Sequence, residues 1–234
     1  MNGFLKKGFK LLSESILQDN SQPKFEEIIG HTGIKMILNK AIISKKPVNV
    51  LLLGKPACAK TMFLTEIMRS CKKSLFLIGS NTTKAGLVNQ LFESRPKFLL
   101  IDELEKMNRT DQTSLLNLME TRIISETKIN KTRQIELTSW VFATANSSDK
   151  IIEPLLSRFV VLKVPEYSFE EFREIAVGRL RKENVDRILA VTIAEKVWRE
   201  LGSKDIRDVI KVARLANYTE EISFVINMME KRIS

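Results

Sequence analysis

The strongest constraint on this chain is the apolar run Val48-Asn49-Val50-Leu51-Leu52-Leu53, which leads directly into Gly54-Lys55-Pro56-Ala57-Cys58-Ala59-Lys60-Thr61. A buried strand that ends in a small-residue loop, with Lys-Thr opening a helix, is suited to holding a phosphate tail. Loop amides and the helix N-terminus point at the anion. The lysine ammonium neutralises outer phosphate charge, and the threonine hydroxyl ligates Mg²⁺. On this reading Gly54, Lys55, Pro56, Ala57, Cys58, Ala59, Lys60, Thr61 and Met62 hold the ligand. The pattern G-x-x-x-x-G-K-[ST] is broken once, because Ala59 stands where the second glycine belongs. Alanine adds one methyl group and is acceptable in a loop that does not need φ > 0 there. A turn before a helix that merely contains Lys-Thr is the alternative.

Downstream, Lys97 leads into Phe98-Leu99-Leu100-Ile101 and then Asp102-Glu103. This is the pattern of a second buried parallel strand that delivers two carboxylates at its C-terminal end, where open α/β sheets bind ligands. Asp102, together with Thr61, is the candidate Mg²⁺ ligand. Glu103 is the candidate base that polarises the water attacking the γ-phosphate of ATP. An acidic pair favoured by a helix N-terminus is the competing explanation.

A chain of 234 residues with 44% hydrophobic content suits one large α/β domain and a small helical one. Its 38 Lys and Arg against 28 Asp and Glu, a formal net charge of +10, favour polyanionic partners. There are two cysteines, and Cys58 lies inside the phosphate loop, where a disulfide would obstruct binding. A reducing cytoplasmic location is expected. No apolar run approaches the roughly 18 residues of a spanning helix. The first residues, with Lys6, Lys7 and Lys10 among Phe4, Leu5, Phe9, Leu11 and Leu12, form an amphipathic pattern with no signal-peptide cleavage site.

Periodicity predicts the amphipathic helix over 4–18, a polar linker over 19–24, a helix over 33–43, a strand over 48–53 and a helix over 60–70. A strand over 74–78, a helix over 84–94, a strand over 97–101 and a helix over 110–120 follow. Residues 121–138 alternate as β-structure does, and 139–145 is a buried strand ending at Asn146. Beyond Pro165 every pattern is helical, over 169–182, 190–201, 204–217 and 219–232, opened by the capping box Ser168-Phe169-Glu170-Glu171. The expected division is an N-terminal helix and linker (1–24), an α/β nucleotide-binding domain (25–165) and a helical lid (166–234).

Gly30-His31, the Gly54–Thr61 loop, Leu99–Met107, Thr144-Ala145-Asn146 and Leu155-Leu156-Ser157-Arg158-Phe159 together resemble the AAA+ ATPases. The resemblance runs over roughly 25–232 and leans toward minichromosome-maintenance (MCM) helicases, whose phosphate loop also commonly has alanine before the lysine. The overall size and compact lid look more like RuvB, a branch-migration motor, and MoxR-type chaperone ATPases share much of the pattern. The resemblance is expected to stop short of the hairpin insert of the MCM helix before the carboxylate strand, of their N-terminal OB-type domain and of the C-terminal winged helix of RuvB.

The resemblance implies a P-loop α/β fold, a five-stranded parallel sheet between helices with a C-terminal helical lid, assembled as a hexameric ring. It makes Lys60 and Glu103 catalytic, Asn146 sensor 1, Arg158 an arginine finger reaching the next subunit, and Arg207 sensor 2. Arg214 is an ordinary lid arginine and His31 borders the adenine pocket. Residues 122–137 resemble the hairpin placed before sensor 1 in these families, with Lys128, Lys131 and Arg133 near its tip. In a ring such tips would grip a phosphate backbone without reading sequence. The function implied is an ATP-driven motor on DNA, loaded or targeted by a separate protein. A MoxR-like chaperone, a clamp-loader-like ATPase subunit and a non-hydrolysing regulatory subunit are the alternatives.

Overall fold

Runs of Val, Leu and Ile that are buried on both faces become the strands of a parallel sheet. We describe the protein from a computed structural model that covers residues 23–128, 131–216 and 218–230. The amphipathic helix expected over 4–18, most of its linker and residues 129–130 lie outside the described residues.

By contact, the described chain separates into two compact units, 23–54 with 59–164, and 55–58 with 165–230. The first contains α1 (Thr32–Ile42), β1 (Val50–Leu53), α2 (Lys60–Ser70), β2 (Ser74–Ile78), α3 (Lys84–Ser94) and β3 (Phe98–Asp102). It continues with α4 (Arg109–Thr121), β4 (Ile123–Lys128), β5 (Lys131–Glu136), β6 (Trp140–Ala145), the one-turn α5 (Glu153–Leu156) and β7 (Val160–Lys163). Five strands pair in parallel in the order β2-β3-β6-β1-β7. All their carboxyl ends therefore lie along one edge and all their amino ends along the other.

β6 is buried throughout, and Phe98–Ile101 of β3 are buried as well. Beneath them Leu87, Leu91, Leu115 and Leu118 of α3 and α4 pack on Leu99, Ile101, Val141 and Ala143. Strand β7 has no counterpart in the predicted elements. Its Val160 and Val161 are 45% and 39% exposed, as an edge strand allows, so the run carries no buried-strand signature.

Strands β4 and β5 form a separate antiparallel hairpin, with Ile123 paired to Glu136 and Lys128 paired to Lys131. Its root stands at the amino edge, where the Leu137 amide donates to the Arg122 carbonyl at 2.7 Å and Trp140 begins β6.

The second unit holds α6 (Phe169–Arg181), α7 (Arg187–Arg199), α8 (Ile206–Leu215) and α9 (Thr219–Glu230). Ser168 and Glu171 close the expected capping box, and Asp186 and Asp205 cap α7 and α8. Among the described residues no helix is long and apolar enough to cross a membrane.

Candidate nucleotide site

The phosphate loop departs from one expectation. Ala59, at φ 60, is left-handed, and so is Ala57 at φ 66. The loop does require a positive φ where alanine replaces glycine, and it adopts that φ despite the Cβ, which is unfavourable by roughly 1–2 kcal/mol for such a residue. Gly54 is held for a different reason: a Cβ there would lie 2.5 Å from the Val164 carbonyl oxygen.

Lys60 opens α2 and is buried. Its ammonium donates to the Gly54 carbonyl at 2.6 Å and to Asn146 Oδ1 at 3.1 Å. The Thr61 hydroxyl donates to the two Asp102 carboxylate oxygens at 2.9 and 3.1 Å, which unites the expected Mg²⁺ pair. Lys60, Thr61, Asp102 and Asn146 thus converge from α2, β3 and the end of β6. Their donor set suits a magnesium-bound phosphate chain: one ammonium, one hydroxyl, one carboxylate and one amide.

Two contributors were absent from the expected set. The Thr144 hydroxyl donates to Asp102 Oδ1 at 2.5 Å and accepts the Glu103 amide at 3.0 Å, so it braces both acids. Glu105, 8% exposed in the turn after β3, accepts from Asn146 through the amide nitrogen at 3.1 Å and Nδ2 at 2.7 Å. That bond aims Oδ1 of Asn146 at Lys60. An acid two residues beyond the carboxylate pair was the available signal, but its partner lies 41 residues away.

Glu103 adopts a left-handed φ of 57 and its carboxylate pairs with Lys106 at 2.8 Å. That hydrogen bond holds the Lys106 ammonium above its usual range. Gly79 leaves room for this turn, since a Cβ there would overlap the Glu103 carbonyl.

Most of the remaining candidates contact other groups. Arg158 is exposed and its guanidinium pairs with Glu120 on α4. Met62 is 42% exposed. His31 sits with its ring centroid 6.0 Å from that of Phe63. In the helical unit, Lys55 pairs with Glu166 at 2.5 Å, and Lys204 pairs with the same carboxylate. These hydrogen bonds, Lys204 foremost, pull the Glu166 pKa down to about 2. Cys58 Sγ lies 3.7 Å from the Pro56 carbonyl. Arg207 pairs with its own cap, Asp205, at 2.6 Å, and Arg214 pairs with Glu183 at 3.0 Å.

On the hairpin, Lys128 and Lys131 occupy facing register positions in the last described pair. Arg133 does not join them at the tip. It pairs with Glu126 at 2.7 Å, donates to Asn89 Oδ1 at 2.8 Å and lies 4.2 Å from the Phe92 ring centroid, which fastens the hairpin to α3. An arginine beside an aromatic face and a carboxylate gains both contacts at once, and that competes with projection into solvent.

The family model for AAA, the ATPase family associated with various cellular activities, matches residues 50–167. The DNA replication licensing factor mcm2 of Schizosaccharomyces pombe is 28% identical over 178 residues, 58% of this chain and 21% of that protein. Mcm2 of Drosophila melanogaster is 28% identical over 188 residues, 63% of this chain and 21% of that protein. The chain therefore spans about a fifth of the length of these relatives. Among solved structures, the RuvB Holliday junction branch migration motor of Thermotoga maritima superposes with a TM-score of 0.63 at 21% identity. That match covers 91% of this chain and 68% of that one.

Proposed function

The chain belongs to the ATPase family associated with various cellular activities, and on that premise we propose that it is an ATP-hydrolysing ring motor acting on DNA. One observation carries the catalytic part: Lys60, Thr61, Asp102 and Asn146 meet at the carboxyl edge of the sheet, with Glu103 beside them and Glu105 fixing Asn146. Mg²⁺, held by Thr61 and Asp102, would neutralise phosphate charge. Glu103 takes the proton of the attacking water once its bond to Lys106 opens, and Asn146 orients that water. Lys60 offsets charge that develops on the leaving oxygens.

Arg158 is proposed to complete a neighbouring copy's site, which requires it to leave Glu120. Arg207 is proposed to sense the nucleotide. The nucleotide-binding domain and the helical lid are proposed to follow the boundaries at 25–165 and 166–234.

DNA as the polymer draws on three supports: the basic net charge, the basic register positions of the hairpin, and the names of the matched relatives. Hexameric assembly, a loading protein and a cytoplasmic site of action belong to the same proposal. The test is ATP turnover with and without single-stranded, forked and junction DNA at low and moderate salt, for the wild type and for Lys128→Ala/Lys131→Ala. DNA should raise wild-type turnover in a salt-sensitive manner, and the double variant should lose that rise while it keeps its basal rate. Turnover indifferent to every DNA, yet raised by a protein partner, would turn the reading to the chaperone alternative.

A further inference from the structure

The amino edge of the sheet, opposite the phosphate loop, carries a charge pattern that hydrolysis does not use. Three of its loops each present a pair of cations: Lys45 and Lys46 before β1, Lys72 and Lys73 before β2, and Arg95 and Lys97 before β3. All six are exposed. None of them is in an ion pair among the described residues, whereas Lys55, Arg69, Lys106, Arg133, Arg158 and Lys204 elsewhere each have a carboxylate partner. The acids that precede the second and third pairs most closely in sequence are engaged otherwise, Glu66 with Arg69 and Glu93 with Asn89.

The loops are also fixed to one another. The Lys97 amide donates to the Lys73 carbonyl at 2.9 Å, and the Lys97 ammonium lies 5.2 Å from the centroid of the Trp140 ring. The Trp140 indole donates to Ser44, next to Lys45, at 2.9 Å. Strand order β2-β3-β6-β1 spreads the row across about 14 Å at the usual spacing between neighbouring strands. Like charges held this close repel one another, and a bound polyanion removes that penalty.

We infer that this edge is a second nucleic-acid contact, a row of cations that takes the sugar-phosphate backbone of DNA next to the root of the β4–β5 hairpin. The choice of DNA as the polyanion rests on the reading of the chain as a DNA motor, while the surface itself does not depend on that reading. Two features favour a nucleic-acid backbone over a lipid surface. First, the aromatic rings at the edge, Phe98 and Trp140, are buried, and the large apolar residues exposed near it, Ile43, Ile123 and Val160, stand on three separate segments of the chain. Scattered residues of this kind do not make the continuous apolar face that inserts among acyl chains. Second, Trp140, three residues beyond the hairpin root at Leu137, donates its amide to the Lys97 carbonyl at 2.8 Å, which makes the row continuous with the element already proposed to grip DNA. A row of cations that neutralises phosphates is indifferent to sequence.

The experiment is fluorescence anisotropy of a labelled duplex, without nucleotide, across a salt series. It compares the wild type with Lys45→Gln/Lys46→Gln, Lys72→Gln/Lys73→Gln, their four-fold combination, the matching Lys→Arg set and Lys128→Ala/Lys131→Ala. The four-fold Gln variant should bind at least about tenfold more weakly at moderate salt. The slope of log affinity against log salt should fall by about 0.9 for each phosphate that is no longer neutralised. Its DNA-free ATP turnover should stay at the wild-type value and its melting temperature should not fall below it, and the Arg set should retain binding. If the combined variant does not fold, either pair alone should show a smaller loss in the same direction. Unchanged affinity and slope in the Gln variants, with loss confined to Lys128→Ala/Lys131→Ala, overturns the edge contact and leaves the DNA motor standing. A wild type that binds no DNA overturns both. Edge-dependent binding to phosphatidylserine vesicles but not to DNA overturns this proposal in favour of a membrane.

Discussion

The two edges of one sheet handle charge in opposite ways. At the carboxyl edge every central group is cross-braced: Lys60 to Asn146, Thr61 and Thr144 to Asp102, Asn146 to Glu105, and Glu103 to Lys106. At the amino edge, 45–46, 72–73, 95 and 97 present cations with no carboxylate partner among the described residues. Parallel pairing is the cause, because it gathers all loops of one sense on each edge and so separates two chemistries built from the same strands. Groups that must sit within a fraction of an ångström of a reacting phosphate are held by their neighbours. Groups that meet a long, uniform polyanion need only charge and reach.

If the edges are separate in function, substitutions at the carboxyl edge should change turnover and spare DNA affinity. The largest effect is expected from Glu103→Gln. Loss of a positioned base lowers turnover by about 10²- to 10⁴-fold, with ATP binding and DNA affinity retained. Normal hydrolysis by this variant would remove Glu103 from the mechanism and break the division at its centre.

Glu105→Ala should come next. With its partner gone, Asn146 keeps Lys60 as its bonding neighbour and can turn, so turnover falls by about 10- to 100-fold while KM stays near the wild-type value. Glu105→Gln retains an acceptor oxygen in the same place and should recover most of the rate. Equal losses in Ala and Gln would mean that the charge of Glu105, and not its grip on Asn146, matters.

The parts legible in the sequence were those carried by local pattern. The runs of β1, β3 and β6, the Lys60 helix start and the Ser168 capping box declare themselves within a few residues. What escaped was set by pairing at a distance. Thr144 matters because β6 lies beside β3 in a register that sets Ala143 opposite Ile101, which brings the next hydroxyl to Asp102. Arg133 looks like a tip residue until Asn89, 44 positions earlier, claims it. The basic edge is written as three Lys/Arg pairs ahead of three strands, yet it becomes one surface only when the strand order is known. Ala59 is a different case: its substitution for glycine was plain, but whether the loop bends left-handed there depends on contacts that no local pattern encodes.

That left-handed alanine gives the smallest predicted effect and a last way to separate the edges. Ala59 is disfavoured at φ 60 by roughly 1–2 kcal/mol. Glycine at the same place removes that penalty but loses more chain freedom on folding, roughly 0.5–1 kcal/mol. Ala59→Gly should therefore stabilise the protein by about 0.5–1 kcal/mol, a rise of about 1–4 °C in Tm for a chain of this size. Lys73, at φ 58 on the amino edge, is the matched control. Lys73→Gly should raise Tm by a similar amount, leave ATP turnover alone and weaken DNA binding slightly, whereas Ala59→Gly should leave DNA binding alone. A fall in Tm for Ala59→Gly would mean that residue 59 is not left-handed in solution, and with it would go the view that this loop holds its shape against the preference of its own sequence.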